Sequence, residues 1–133
     1  MAYSGYLIKI GNYTIPNNKI KASTYKSTRT VIDLDSYRNA NGVLQRNALS
    51  HVPYKVELNL IPMYNADLQT ILQNIRSNYT SAIERKGLVT FYDMETDTYI
   101  TQDMYMPDID FTIYGIFNDK ILYPETTIKF IGY

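Results

Sequence analysis

Cysteine and tryptophan are absent from the 133 residues, and histidine occurs once, at His51. Without cysteine there is no disulfide framework, no thiolate nucleophile and no cysteine metal site. A lone histidine falls short of a metal centre, which ordinarily takes three or four protein ligands. His51 reads as a packing or hydrogen-bonding residue at the root of a loop. Neither sign of charge is in excess: Lys plus Arg and Asp plus Glu number 13 each, so the formal net charge is zero. Such a balance gives no electrostatic footprint for nucleic acid or an anionic membrane. Long apolar runs are missing as well. Tyr6-Leu7-Ile8 is interrupted at Lys9, and Met1 to Tyr6 holds no basic leader, so no signal peptide or membrane span is expected. Folding is expected in the cytoplasm. The six glycines are scattered, so no Gly-rich loop meets a helix to hold phosphate, and no serine sits in a nucleophile elbow.

What is present describes a globular chain, 45% hydrophobic and 20% charged, of a size for one domain over residues 1–133. Fourteen tyrosines are its unusual component. Tyrosine offers large contact area with a polar tip, which suits interfaces and sugar-binding faces, and it is also a favoured strand former. Two Asp-x-Asp pairs, Asp33/Asp35 and Asp108/Asp110, would each share one face of a strand. Neither belongs to a complete calcium loop, so both read as solvated carboxylates. The expectation is a protein that is not an enzyme, with no catalytic residue, no metal, no cofactor and no small-molecule substrate.

Periodicity sets out the elements. Tyr6 to Ile10 reads as a strand, Gly11-Asn12 as a turn, and Tyr13 to Ile15 as a return before Pro16. Val52, Tyr54, Val56, Leu58 and Leu60 alternate with polar residues, the strongest period-two signal in the chain, with a start near Pro53. Leu68, Ile71, Leu72, Ile75 and Tyr79 share one face at helical spacing, with Asn65 as N-cap and Asp67 in the first turn. Gly87 is placed in the connection that follows. Leu88 to Met94 and Thr98 to Met106 read as a hairpin. Ile109, Phe111 and Ile113 mark a further strand ending at the Asn118-Asp119 turn, and Ile128 and Phe130 a last one. The fold class is α+β: a mainly antiparallel β-sandwich or open barrel, one helix and one long projecting hairpin.

That hairpin is the arm at residues 24–50. Asn41-Gly42 tolerates positive φ at both central positions of a type I′ turn and predicts a two-residue connection. Its flanks hold few large apolar residues, and an isolated two-stranded hairpin is marginal in water. Such an arm is expected to gain its order on a neighbouring copy of the same chain. Basic residues interleaved with Tyr25 and Tyr37 also suit single-stranded nucleic acid, but Asp33 and Asp35 share the arm, and a polar inter-subunit surface is the better reading.

Two strings carry a resemblance. Tyr3 to Gly11 with Tyr13-Thr14-Ile15-Pro16, and Asp33 to Arg38 followed by Asn41 to Leu44 and Arg46 to His51, are similar to a family of small phage and prophage proteins encoded with tail genes in viruses of Gram-positive bacteria. The order of elements also resembles the tail-tube fold. The resemblance implies a virion structural protein: a ring subunit of the tail or tail tip, assembling through sheet continuation and an exchanged arm. Tyr25, Leu34, Tyr37, Arg38, Asn41, Gly42, Val43, Leu44, Arg46 and Leu49 would then form the inter-subunit contact. Implied partners are further copies in hexameric or trimeric-type symmetry and other phage tail proteins, with DNA only as passing cargo. A head–tail connector or tail-terminator ring shares these features. A carbohydrate-binding module for host-surface recognition is the alternative of another class.

Overall fold

The computed structural model describes residues 3–30, 37–46 and 52–133. Leu34, Leu49, Asp33, Asp35 and His51 lie outside the described residues. The strands are β1 (Ile8–Ile10), β2 (Tyr13–Thr14), β3 (Lys26–Arg29), β4 (Tyr37–Arg38), β5 (Leu44–Gln45), β6 (Tyr54–Leu60) and β7 (Met63–Tyr64), followed by helix α1 (Asn65–Ser77). Then come β8 (Lys86–Asp93), β9 (Thr98–Tyr105), β10 (Gly115–Phe117), β11 (Lys120–Tyr123) and β12 (Thr126–Gly132).

A seven-stranded sheet in the order β2-β1-β8-β9-β12-β6-β3 makes up most of the molecule. Its pairings are antiparallel, and β1–β2 and β8–β9 are short hairpins, which antiparallel pairing allows. A three-stranded sheet, β10-β11-β7, carries α1 on its chain continuation, and β4 and β5 form a separate two-stranded ribbon. The large sheet curls strongly: Ser27 on edge strand β3 reaches Asp93 on β8, four places away in the sheet order, at 2.9 Å. Among the described residues no ladder joins the two edges, so the sheet is not a closed barrel.

The period-two segment becomes β6 with Tyr54, Val56, Leu58 and Leu60 all buried, and it begins just after Pro53. The helical stripe is also realised: Leu68, Ile71, Leu72 and Ile75 are buried and join Ile8, Ile10, Val89, Phe91, Ile128 and Phe130 in one cluster. Tyr79 lies beyond the helix end but packs on the same cluster. Asn65 is the first helical residue and not the cap. The capping position is Tyr64, which makes no side-chain cap bond, and the Asn65 side chain accepts from the Tyr123 hydroxyl at 3.1 Å.

Three expectations are corrected. Gly87 is inside β8, where a Cβ would meet Ile10 Cδ1 at 3.0 Å; the glycine admits the Ile10 side chain instead of ending a loop. No strand forms over Ile109, Phe111 and Ile113; regular pairing resumes only at Gly115, and Phe111 and Ile113 are exposed. The Asn41-Gly42 turn is not type I′. Only Gly42 has positive φ; Gly42 N donates to Asn39 O and Asn39 N to Val43 O, a three-residue connection closed by a glycine bulge. The two-residue geometry with positive φ at both positions occurs at Asn118 (50°) and Asp119 (61°), between β10 and β11.

Deleting the Phe91 ring leaves a cavity in a fully buried site. Phe91→Ala is expected to lower unfolding free energy by about 3–5 kcal/mol, whereas Leu88→Ala, on the wet side of the same strand, changes it by less than about 0.5 kcal/mol. Urea unfolding followed by circular dichroism measures both.

Candidate functional site

The arm is rooted in the large sheet. β3 pairs with β6 from Lys26↔Glu57 to Arg29↔Tyr54, and Thr30 N donates to Pro53 O at 3.1 Å. The chain therefore leaves the sheet after Thr30 and re-enters it beside Pro53. The arm is shorter at its start than residues 24–50, because Lys26–Arg29 belongs to the sheet.

Tyr25 accordingly belongs to the body and not to the arm tip. Its ring packs on the core, and its hydroxyl donates to Tyr92 O at 2.6 Å, with Leu7 O at 3.3 Å. One residue pair further on, Ser27 Oγ donates to Asp93 Oδ1, and Thr96 Oγ1 donates to Asp93 Oδ2 at 2.8 Å. Asp93 is almost wholly buried. A buried carboxylate is costly unless its oxygens accept hydrogen bonds, and these two hydroxyls tie the edge strand to the β8–β9 turn. Tyr25 and Asp93 thus latch the base of the arm on the body.

Beyond the root, β4 and β5 pair through Tyr37↔Gln45 and Arg38↔Leu44. The loop is organised locally: Asn39 Oδ1 accepts from Asn41 N at 3.0 Å and Val43 N at 3.1 Å, and Arg38 Nη1 donates to Gly42 O at 3.0 Å. Tyr37 is 62%, Val43 55% and Leu44 44% exposed, so the tip presents its apolar residues to solvent. Arg38, Asn41, Gly42 and Arg46 lie at the same tip. Of the expected contact set, seven residues are thereby brought together and Tyr25 is not.

A second surface of this kind was not foreseen from the sequence. Phe111, Ile113, Tyr114, Ile116 and Phe117 are all exposed, with the rings of Tyr114 and Phe117 stacked at 6.3 Å. Their alternation imitates a core strand. The available signal was density alone, five large apolar residues within seven positions. Next to it, Leu72, Ile75, Tyr79, Met106, Ile109 and Phe111 line an apolar hollow of about 470 Å³.

Arrangements that would do chemistry are not evident among the described residues. They contain no group of three His, Cys, Asp or Glu side chains able to hold a metal. Asp108 and Asp110 lie outside any strand; Asp108 is bound by Arg85 at 2.7 Å. Many tyrosines are engaged with one another on the large sheet: Tyr6 stacks on Tyr99 at 4.6 Å, and Tyr92 meets Tyr99 at 5.6 Å and Tyr3 at 6.0 Å. Among the described residues no helix is long and apolar enough to cross a membrane.

Two solved chains are similar to this fold over most of their length. One, from the tail of an empty gene transfer agent particle obtained with helical refinement and C6 symmetry, matches at TM-score 0.52 and 13% identity, covering 99% of this chain and 95% of that one. The other, from the virion of a native gene transfer agent particle, matches at TM-score 0.52 and 13% identity, over 97% and 91%. At such low identity the likeness is one of fold. The chain itself belongs to the family of unknown function DUF6711, whose model matches residues 1–133. No curated protein matches it.

The latch makes a pH prediction. Burial, assisted by the Asp93 charge, holds the Tyr25 hydroxyl well above its ordinary value of 10.0. The unfolded chain ionises Tyr25 near that ordinary value and the folded chain only at higher pH. Its contribution to stability is therefore complete below pH 10.0 and is lost as pH rises beyond it. Tyr25→Phe should flatten the alkaline fall in stability and cost about 1 kcal/mol at neutral pH, the value of a hydrogen bond. Denaturation midpoints taken from neutral to strongly alkaline pH check both.

Proposed function

We propose that this chain is a non-enzymatic structural subunit of a phage-type virion tail, forming a ring with copies of itself in the tail or at its tip. The observation that carries the reading is the arm: a hairpin rooted in the sheet whose Tyr37, Val43 and Leu44 find no cover within the described chain. A two-stranded ribbon is marginal by itself, and a second copy supplies the missing surface. The fold likeness, over nearly the whole length of both chains, to components of a tail and a virion supports the same setting, and one of those tails has C6 symmetry. In this reading each sheet continues into the next around the ring, and the arm of one subunit rests on another. Edge strands that would otherwise invite aggregation become specific joints. Zero net charge lets many copies pack without mutual repulsion. Assembly takes place in the host cytoplasm, and the product resides in the virion with other tail proteins as neighbours.

The test is assembly in solution. Light scattering after size-exclusion chromatography, alone and with the neighbouring tail proteins, is expected to show a ring-sized species. Val43→Asp with Leu44→Asp should abolish it and leave the thermal unfolding of the monomer unchanged within about 0.5 kcal/mol, as for exposed positions. Unchanged assembly in that variant removes the arm from the mechanism.

A further inference from the structure

The tip of the arm holds a reactive pair that neither the fold nor the ring reading uses. Asn41 is the one asparagine of the chain followed by glycine; after each of the others the next residue carries a side chain. An asparagine side chain is open to attack at Cγ by the main-chain nitrogen of the residue that follows, closing a succinimide ring. A side chain on that next residue crowds the approach, and glycine removes it. The surroundings are open as well. Asn41 and Gly42 are both exposed, and a Cβ built on Gly42 would meet nothing within 4 Å. Among the described residues the Asn41 side chain makes no hydrogen bond, so its carboxamide is free to turn.

The turn opposes the same reaction. Gly42 N is the attacking atom, and its hydrogen is donated to Asn39 O at 2.9 Å. Asn39 Oδ1 accepts from Asn41 N at 3.0 Å and from Val43 N at 3.1 Å, so one side chain holds the main chain on both sides of the reacting pair. Ring closure needs the Gly42 nitrogen freed of its proton and turned onto Cγ, which these bonds prevent while they last. They belong to a ribbon joined by Tyr37↔Gln45 and Arg38↔Leu44 alone. An exposed element of so few pairs opens locally at little cost in free energy.

We propose that Asn41 is a site of spontaneous deamidation and that Asn39 sets its rate by keeping the turn closed. Base removes the Gly42 amide proton, the nitrogen bonds to Asn41 Cγ, and the Cγ–Nδ2 bond breaks to release ammonia, which takes a proton from water. A second water then opens the succinimide. Cleavage at Cγ leaves aspartate, and cleavage at the former main-chain carbonyl leaves isoaspartate. Either product adds a negative charge to the tip. Isoaspartate also lengthens the main chain by a methylene, which the bonds from Asn41 N and Val43 N to Asn39 Oδ1 do not fit. Asn39 is a positioning residue, acting on the reacting pair through hydrogen bonds. This chemistry does not rest on the ring reading.

In the test the full chain is held at mildly alkaline pH and then digested with trypsin, which cuts after Arg38 and Arg46 and isolates residues 39–46. Mass spectrometry reads the conversion at each asparagine, and labelling by isoaspartyl methyltransferase counts the isoaspartate. Conversion is expected to be faster at Asn41 than at Asn39 of the same peptide, to rise with pH, and to vanish from that position in Asn41→Gln. Asn39→Ala, on the arm and away from the core, is expected to hasten it roughly fivefold, the factor that one net hydrogen bond is worth. In urea both chains should react at one common, faster rate. If Asn41 stays intact in the folded chain over a time in which the unfolded chain converts, the site is overturned. Equal rates in wild type, Asn39→Ala and the unfolded chain overturn the role of Asn39.

Discussion

The main-chain pairing of β3 with β6 is the constraint on which the rest of the molecule depends. β6 is interior to the large sheet, with β12 on its other side, and its alternate residues are core. Anything paired to it inherits a fixed direction. The ladder from Lys26↔Glu57 to Arg29↔Tyr54 converts what would be a long loop between Thr24 and Pro53 into a strand plus a shorter projection. Loop closure between two ends already held in register adds little further entropy. Tyr25 and Ser27 strengthen the arrangement from the inside, one satisfying backbone carbonyls and the other the buried Asp93. The arm is consequently aimed by the core.

The same ladder explains what the amino-acid pattern disclosed and what it did not. β6 and α1 were legible because their buried residues recur at the period of the element, and burial is what periodicity records. β3 has the sequence Lys-Ser-Thr-Arg, with hardly an apolar side chain. It is held by main-chain bonds and by the Ser27 hydroxyl, neither of which leaves a hydrophobic trace. The opposite failure occurs at Ile109, Phe111 and Ile113, where alternation is present and a partner strand is not. Alternation specifies the spacing of side chains, whereas a strand also needs a neighbour with free hydrogen-bonding groups. The turns show a related limit. Asn41-Gly42 and Asn118-Asp119 are both acceptable two-residue connectors, and the strand register around each decides which adopts that geometry. Of the site, the exposed tip residues were legible from the polarity of the arm. The apolar stretch from Phe111 to Phe117 was not, because exposed and buried alternation look alike in one dimension.

Tyrosine usage ties the two scales together. Tyr3, Tyr6, Tyr92 and Tyr99 pack ring against ring beside and on the large sheet. A half-wet sheet suits a side chain that is mostly hydrophobic area with one polar end. This accounts for four of the fourteen tyrosines by ordinary strand packing. Tyr37 and Tyr114 are different: both are largely exposed, one in β4 and the other just before β10.

An exchanged arm of the proposed kind has an energetic consequence. Ordering a projecting hairpin on a partner has a conformational cost that a single small contact recovers only in part, so one arm on one receiver is a weak bond. In a closed ring every subunit donates and receives, and once the ring closes each joint is held by all the others at high effective concentration. A chain built this way is expected to pass from free subunits to closed assemblies without stable dimers between them. In the proposed ring, cohesion comes from symmetry acting on contacts that are individually modest, which suits a surface as mixed in polarity as this arm tip.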